Sequence, residues 1–154
     1  MADLIFRTAS RADVPAILEL LTDDEISRSR ESSPTPESVD AAYWSAFEAI
    51  DADPRNELIV ADAGGEVVGT CQLTFTPSLS RRGTERMTIE AVRIRRDQRG
   101  RGLGRQMMAW SLDRARARGC RLAQLTTDKR RADAHRFYAS LGFEASHEGF
   151  KIAL

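Results

Sequence analysis

The chain has 154 residues, a length that suits one domain and buries about two-thirds of the unfolded surface, so no metal or disulfide staple is needed for stability. Its composition, 42% hydrophobic and 30% charged, is that of an ordinary globular protein, and no apolar run approaches the roughly 20 residues of a membrane span. The net charge of zero is unevenly spread: residues 1–80 carry −10, residues 81–136 carry +11 and residues 137–154 carry −1. Such asymmetry suits a polyanionic partner for the second half, a nucleotide or a nucleic acid, and equally a solvated arginine-rich surface. Met1-Ala2-Asp3-Leu4 lacks the basic and apolar stretches of a secretory signal. Cys71 and Cys120 stand alone, with neither metal-ligand nor disulfide spacing, so the expectation is a cytoplasmic protein with reduced thiols and no metal.

In chain order, Leu4 to Thr8 reads as a short strand. Ser10 then suits an N-cap with Asp13 three residues on, and Val14, Ile17, Leu18 and Leu21 form one helical stripe. Residues 22–36, with Ser32, Ser33, Pro34 and Pro36, read as a mobile polar connection. Val39, Ala42, Tyr43, Ala46, Phe47 and Ile50 mark a second helix. Leu58–Ala61 and Val67–Phe75 are strand-like, with a hairpin signal in Ala63-Gly64-Gly65. Pro77 to Gly83 breaks the pattern, and another strand runs from about Arg86 to Ile94.

Gly104, Met107, Met108, Ser111, Leu112 and Ala115 mark one face of a long helix that Gly119 ends. Leu122–Thr127 is a short strand, and Ala134, Phe137, Tyr138 and Leu141 give a last helical face closed by Gly142. Residues 143–154 have room for one or two more strands. No repeat, low-complexity tract or composition break divides the chain, so residues 1–154 are expected to form a single domain. The alternation predicts an α/β fold with a mixed sheet.

The most informative stretch runs from Ile89 to Arg105. A strand enters the glycine-rich turn Arg99-Gly100-Arg101-Gly102-Leu103-Gly104-Arg105, which leads directly into an amphipathic helix. Glycines let backbone amides converge without Cβ interference, and the new helix adds unpaired amides and the positive end of its dipole. Together they suit a phosphate or pyrophosphate, with Arg99, Arg101 and Arg105 adding charge. A P-loop would need Gly-Lys-Ser/Thr at the helix start, and a dinucleotide fingerprint would need G-x-G-x-x-G; neither is present.

The remaining pattern, R-x-x-G-x-G at Arg99, Gly102 and Gly104, resembles the acetyl-CoA-binding loop of the GNAT superfamily of N-acetyltransferases. A second similarity follows downstream. Ala134-His135-Arg136-Phe137-Tyr138 and then Leu141-Gly142-Phe143 are similar to that family's A-x-x-x-Y and Gly-Phe pairs. The resemblance covers nearly the whole chain. It implies a GNAT-like mixed, largely antiparallel sheet with flanking helices, whose fourth and fifth strands splay to admit the pantetheine arm.

By that resemblance, the backbone from Arg99 through Gly100, Arg101, Gly102, Leu103 and Gly104 to Arg105 would cradle the pyrophosphate. Val92, Arg93 and Ile94 would offer backbone groups to pantetheine. Tyr138 would protonate the leaving thiolate, although its place on an apolar stripe also suits a core tyrosine. Glu90 interrupts an apolar strand, which is costly unless the carboxylate is solvated, paired or used. A lysine-like amine is neutral in about 1 molecule in 2,500 at pH 7. Glu90 therefore suits a base, direct or through water, with a salt bridge as the structural alternative. Arg131 stands where many family members carry an asparagine that bonds pantetheine. His135 and His147 receive no role.

The expected activity is transfer from acetyl-CoA to a primary amine on a small molecule or peptide, with no covalent intermediate, membrane, metal or nucleic-acid partner, and a homodimer by family habit. Two alternatives stand beside it. One is a catalytically silent acyl-CoA-binding sensor of the same fold. The other is a nucleic-acid binder using the arginines of residues 81–136, although such proteins usually interleave aromatics with basic residues.

Overall fold

The computed structural model describes residues 3–23 and 39–154. These residues form two compact units, residues 1–124 and residues 125–154, each described by itself.

In the first unit, strand β1 (Leu4–Thr8) leads into a 3-10 turn at Arg11–Asp13 and helix α1 (Val14–Leu21). Helix α2 (Ala41–Ala52) follows, then β2 (Asn56–Ala63), β3 (Glu66–Thr76), β4 (Arg86–Ile94), helix α3 (Leu103–Ala117) and β5 (Leu122–Leu125). The strands form one five-stranded sheet in chain order, antiparallel from β1 through β4. The fold is therefore the expected mixed α/β type with a largely antiparallel sheet. Gly64 and Gly65, at φ of 63° and 95°, supply the left-handed turn that a two-residue hairpin between β2 and β3 needs.

Strand alternation divides the sheet into two faces. Ile59, Cys71, Leu73, Phe75, Met87 and Ile89 are fully buried on the face that meets α3, whose Met107, Met108 and Ser111 are equally buried. Ser111 satisfies its hydroxyl on the Met107 carbonyl at 2.8 Å and lies 3.8 Å from Cys71 Sγ. Burial pushes the Cys71 thiol up to about 12, so that thiol stays protonated and inert. The opposite face carries α1 over β3 and β4 and α2 over β2, with clusters around Ile17 and Val60 and around Leu18 and Phe47. In α2 the inward side chains are Tyr43, Trp44, Phe47 and Ile50; Ala42 and Ala46, expected on the stripe, are exposed.

A half-buried charge cluster ties the start of the chain together. Arg7 forks onto both oxygens of Asp13 at 2.7 and 3.0 Å and also reaches Asp62 at 3.0 Å. Asp13 accepts from the Ser10 amide as well, as the capping pattern predicts. The Arg7 guanidinium and Ser10 donors hold the Asp13 carboxyl below its usual range. Asp13→Ala should cost about 1–3 kcal/mol, since it removes a cap and leaves Arg7 with Asp62 as its one carboxylate partner. A lowered carboxyl stabilises fully above its unfolded pKa and loses that contribution as pH falls through the folded value. Denaturant midpoints of wild type and variant should accordingly differ at pH 7 and converge in strong acid.

The second unit contains helix α4 (Ala132–Ser140). Gly142, at φ of 96°, closes it as expected, and the Gly142 and Phe143 amides donate to the Ala139 and Tyr138 carbonyls at 3.0 and 3.1 Å. Residues 143–154 hold no helix or strand, which corrects the expectation of further strands there, and β5 ends at Leu125 rather than Thr127. Phe150, Ile152 and Leu154 alternate as a strand would, yet all are exposed, so in this unit they gain none of the burial that would hold a strand. The connection expected to be mobile falls mostly on residues 24–38, outside the described residues.

Candidate active site

Strand β4 enters the site regular and leaves it bent. Gln72 pairs with Glu90 and Thr70 with Arg93, so Ala91 and Val92 together face Cys71 alone. Ala91 takes φ of +53°, the left-handed conformation of a bulged residue. A bulge re-aims everything after it, here Val92, Arg93 and Ile94. Those three are half-buried, and Arg93 and Ile94 pair with Thr70 and Gly69 of β3. Alanine carries no sequence signal for positive φ, so the bulge was not foreseen.

Past Ile94 a short 3-10 turn (Arg96–Gln98) leads to the glycines. Gly100 and Gly102 adopt φ of +76° and +82°, and Gly102 is the N-cap of α3. A Cβ built on either residue meets nothing within 4 Å, so open space lies at both positions. The N-terminal end of α3 lies at this turn, where the Gln106 amide donates to the Gly102 carbonyl at 3.0 Å. Leu103 itself is buried against Ala61 and Val68, anchoring the helix start to the sheet. The arrangement suits an anion, as the sequence predicted.

The arginines divide their work. Arg99 donates to the Ile94 carbonyl at 3.0 Å and reaches Asp23 at 3.4 Å. Arg96 reaches the same Asp23 carboxylate and its carbonyl, both at 3.2 Å. Asp23, at the end of α1, thus braces the approach to the turn. Only the fold brings this acid onto Arg99, 76 residues further along the chain. Arg101 and Arg105 are exposed.

Glu90 is exposed on the sheet face opposite α3, with no salt bridge among the described residues, so the structural alternative of an ion pair finds no partner there. Strand β5 meets β4 at Thr88, where Gln124 Nε2 donates to Thr88 Oγ1 at 3.1 Å. In the second unit Tyr138 is half-buried between Phe137 and Phe143, with ring centroids 5.2 and 5.9 Å away. Arg131 is the N-cap of α4. A separate open cavity of about 760 Å³ is lined by Arg82, Glu85, Arg118 and Arg121 at the far end of α3. A 15-residue helix, about 22 Å long, separates it from the glycine turn.

Bulged strand, glycine turn and helix start together suit the class that the sequence resembles, an acyltransferase. Comparison with known proteins makes the class definite. The model of the acetyltransferase (GNAT) family matches residues 15–143. An aminoalkylphosphonate N-acetyltransferase of Salmonella typhimurium (strain LT2) is 35% identical over 113 residues, 73% of each chain. An L-methionine sulfoximine/L-methionine sulfone acetyltransferase of Pseudomonas aeruginosa is 34% identical over 142 residues, 91% of this chain and 80% of that one. A crystal structure of a protein from Bacillus halodurans C-125, described as a transcriptional regulator, superposes with a TM-score of 0.94 at 46% identity, over 99% of this chain and all of that one. The chain belongs to the GNAT acetyltransferase family.

Proposed function

We propose that the chain transfers the acetyl group of acetyl-CoA directly to the primary amine of a small acceptor, both units acting as one domain. The observation that carries this reading is the left-handed turn at Gly100 and Gly102, with open space at both Cβ positions, capping α3 after a bulged strand. The backbone of Arg99 to Arg105 binds the pyrophosphate, and Val92, Arg93 and Ile94 pair with pantetheine along the edge of β4 that faces a splayed β5. Arg131 donates where the family's asparagine would bond, since a guanidinium has no acceptor.

In the reaction, the carboxylate of Glu90 takes the proton from the incoming ammonium, directly or through water, and the free amine attacks the thioester carbon. Backbone amides beside the bulge stabilise the developing oxyanion. As the carbon–sulfur bond breaks, the Tyr138 hydroxyl gives its proton to the thiolate, and the proton that the attacking nitrogen then loses to become an amide returns to the phenolate through solvent. The Salmonella and Pseudomonas relatives are named for small amines with strongly polar oxo groups, which favours a small molecule over a peptide as acceptor. We place the reaction in the cytoplasm, with a homodimer as its working form.

Acetyl-CoA should raise the thermal midpoint. At about 100 times Kd a ligand that binds only the folded state adds roughly 2.7 kcal/mol, about 5–10 °C for this size. Free CoA should act similarly, and an unchanged midpoint at millimolar acetyl-CoA in a folded sample would remove the reading. The Bacillus neighbour favours a second reading, a CoA-binding sensor without turnover. CoA release across a panel of amines separates the two.

A further inference from the structure

We propose that Arg86 is the anion receptor of the acceptor site, so that the chain selects amines carrying a carboxylate, phosphonate or comparable oxyanion at the far end of the molecule. This rests on the acetyltransferase reading with Glu90 at the amine.

The argument begins with strand alternation. Met87 and Ile89 are buried towards α3, so Arg86, Thr88 and Glu90 share the opposite face. Register places Thr76, Thr74 and Gln72 beside them on β3, and Asn56 beyond Thr74 on β2. The result is a polar strip in a sheet whose other face is apolar. Its middle is neutral and already ordered: Asn56 Oδ1 accepts from Gln72 at 3.2 Å and from Thr74 at 3.0 Å, and Thr88 accepts from Gln124. Charge sits at the two ends, Glu90 at one and Arg86 at the other.

The other charged groups near the strip are engaged. Arg93, past the bulge, donates to the Val92 carbonyl at 2.9 Å, and Asp53 accepts from Asn56 at 2.8 Å. Arg86 and Arg93 both have a buried Nε without a hydrogen-bond partner. Arg93 uses another of its nitrogens on the Val92 carbonyl, whereas Arg86 makes no side-chain hydrogen bond or ion pair among the described residues. Leaving such a donor unpaired is costly, and an oxyanion gripped by the fork relieves that cost. Elsewhere in the first unit half-buried arginines are spent on carboxylates, as Arg7 on Asp13 and Arg118 on Glu85.

Spacing sets the length of the acceptor. Four residues of strand separate Arg86 and Glu90, about 13 Å between Cα atoms, and side chains leaning inward leave roughly 6–10 Å between amine and oxyanion. An α-amino acid is too short to touch both ends, whereas a chain of four or five methylenes reaches. The ammonium meets Glu90, the anion meets Arg86 and the stem lies along Thr88.

The test is steady-state kinetics on straight-chain ω-amino acids from glycine to 6-aminohexanoate, each beside its neutral amide, with saturating acetyl-CoA. Wild type should favour the longer acids over their amides about 10- to 100-fold in kcat/KM, mainly through KM. Arg86→Gln should erase that preference while the KM for acetyl-CoA stays put, and Arg86→Lys should restore part of it. Turnover of amines with no preference for the acid would overturn this inference alone, and so would a preference that survives Arg86→Gln. Acetyl-CoA binding without turnover of any amine would overturn it together with the enzymatic reading. Where Arg86→Gln folds poorly, Arg86→Lys carries the comparison: it should keep only part of the acid preference, and an unchanged preference would overturn the inference.

Discussion

Gly102→Asp should abolish acetyl-CoA binding while the chain stays folded. The backbone cost is modest, because aspartate is among the residues that tolerate positive φ, and the new Cβ meets nothing within 4 Å. The ligand cost is large. A carboxylate would stand where the α3 amides converge, about 4–5 Å from a pyrophosphate, and at an effective dielectric near 20 that repulsion is about 3–4 kcal/mol per charge pair. Affinity should fall at least about 100-fold. Gly102→Ala, which shares the backbone strain without the charge, should lose far less. Calorimetric titration of both variants, with circular dichroism to check folding, decides the matter, and normal affinity in Gly102→Asp would place the cofactor elsewhere.

The second large effect lies in the chemical step. Tyr138→Phe removes one hydroxyl and keeps the ring between Phe137 and Phe143, so the protein should fold and bind acetyl-CoA. Its kcat should drop about 10²- to 10⁴-fold, the range for a lost general acid. Glu90→Gln keeps the shape of an exposed side chain and removes the base. Its kcat should fall at neutral pH and recover as pH rises towards the amine's own pKa, because free amine then arrives without help. Tyr138→Phe should show no such rescue, since its defect is protonation of the thiolate. Wild-type rates in Glu90→Gln across the pH range would make Glu90 a surface residue and leave deprotonation to another group.

Most of the fold was legible because its signals are local. Alternation marks β3 and β4, a 3.6-residue stripe marks α3, and Gly64-Gly65 and Gly142 sit where left-handed backbone is required. The glycine turn was legible for the same reason, a strand running into glycines and then a helix. What escaped depends on partners distant in sequence. The bulge at Ala91 arises from register with Cys71, not from any preference of alanine. The bracing of Arg99 by Asp23 needs α1 folded across the sheet. Arg86 looks like any arginine until alternation and burial show its Nε enclosed and unpaired. Phe150, Ile152 and Leu154 show the reverse failure, a pattern that propensity favours and packing in its unit does not reward.

The opposite charges of the two halves, far apart along the chain, meet in space. Arg96 and Arg99 face Asp23, Arg95 faces Glu66 and Arg114 faces Glu57, each an arginine of the basic stretch on an acid of the acidic one. The chain is in effect its own counterion atmosphere. A polyanion binds a protein tightly when protein cations displace the small cations condensed along it, which requires an uncommitted positive surface on the protein. Arginines already matched by carboxylates offer little of that surface, because each new contact must first displace an acid that cannot diffuse away. These four arginines are therefore poor ligands for a polyanion, and the stretch's attraction for anions is left to groups not matched in this way, the backbone of the Gly100–Gly102 turn and the Arg86 side chain among them.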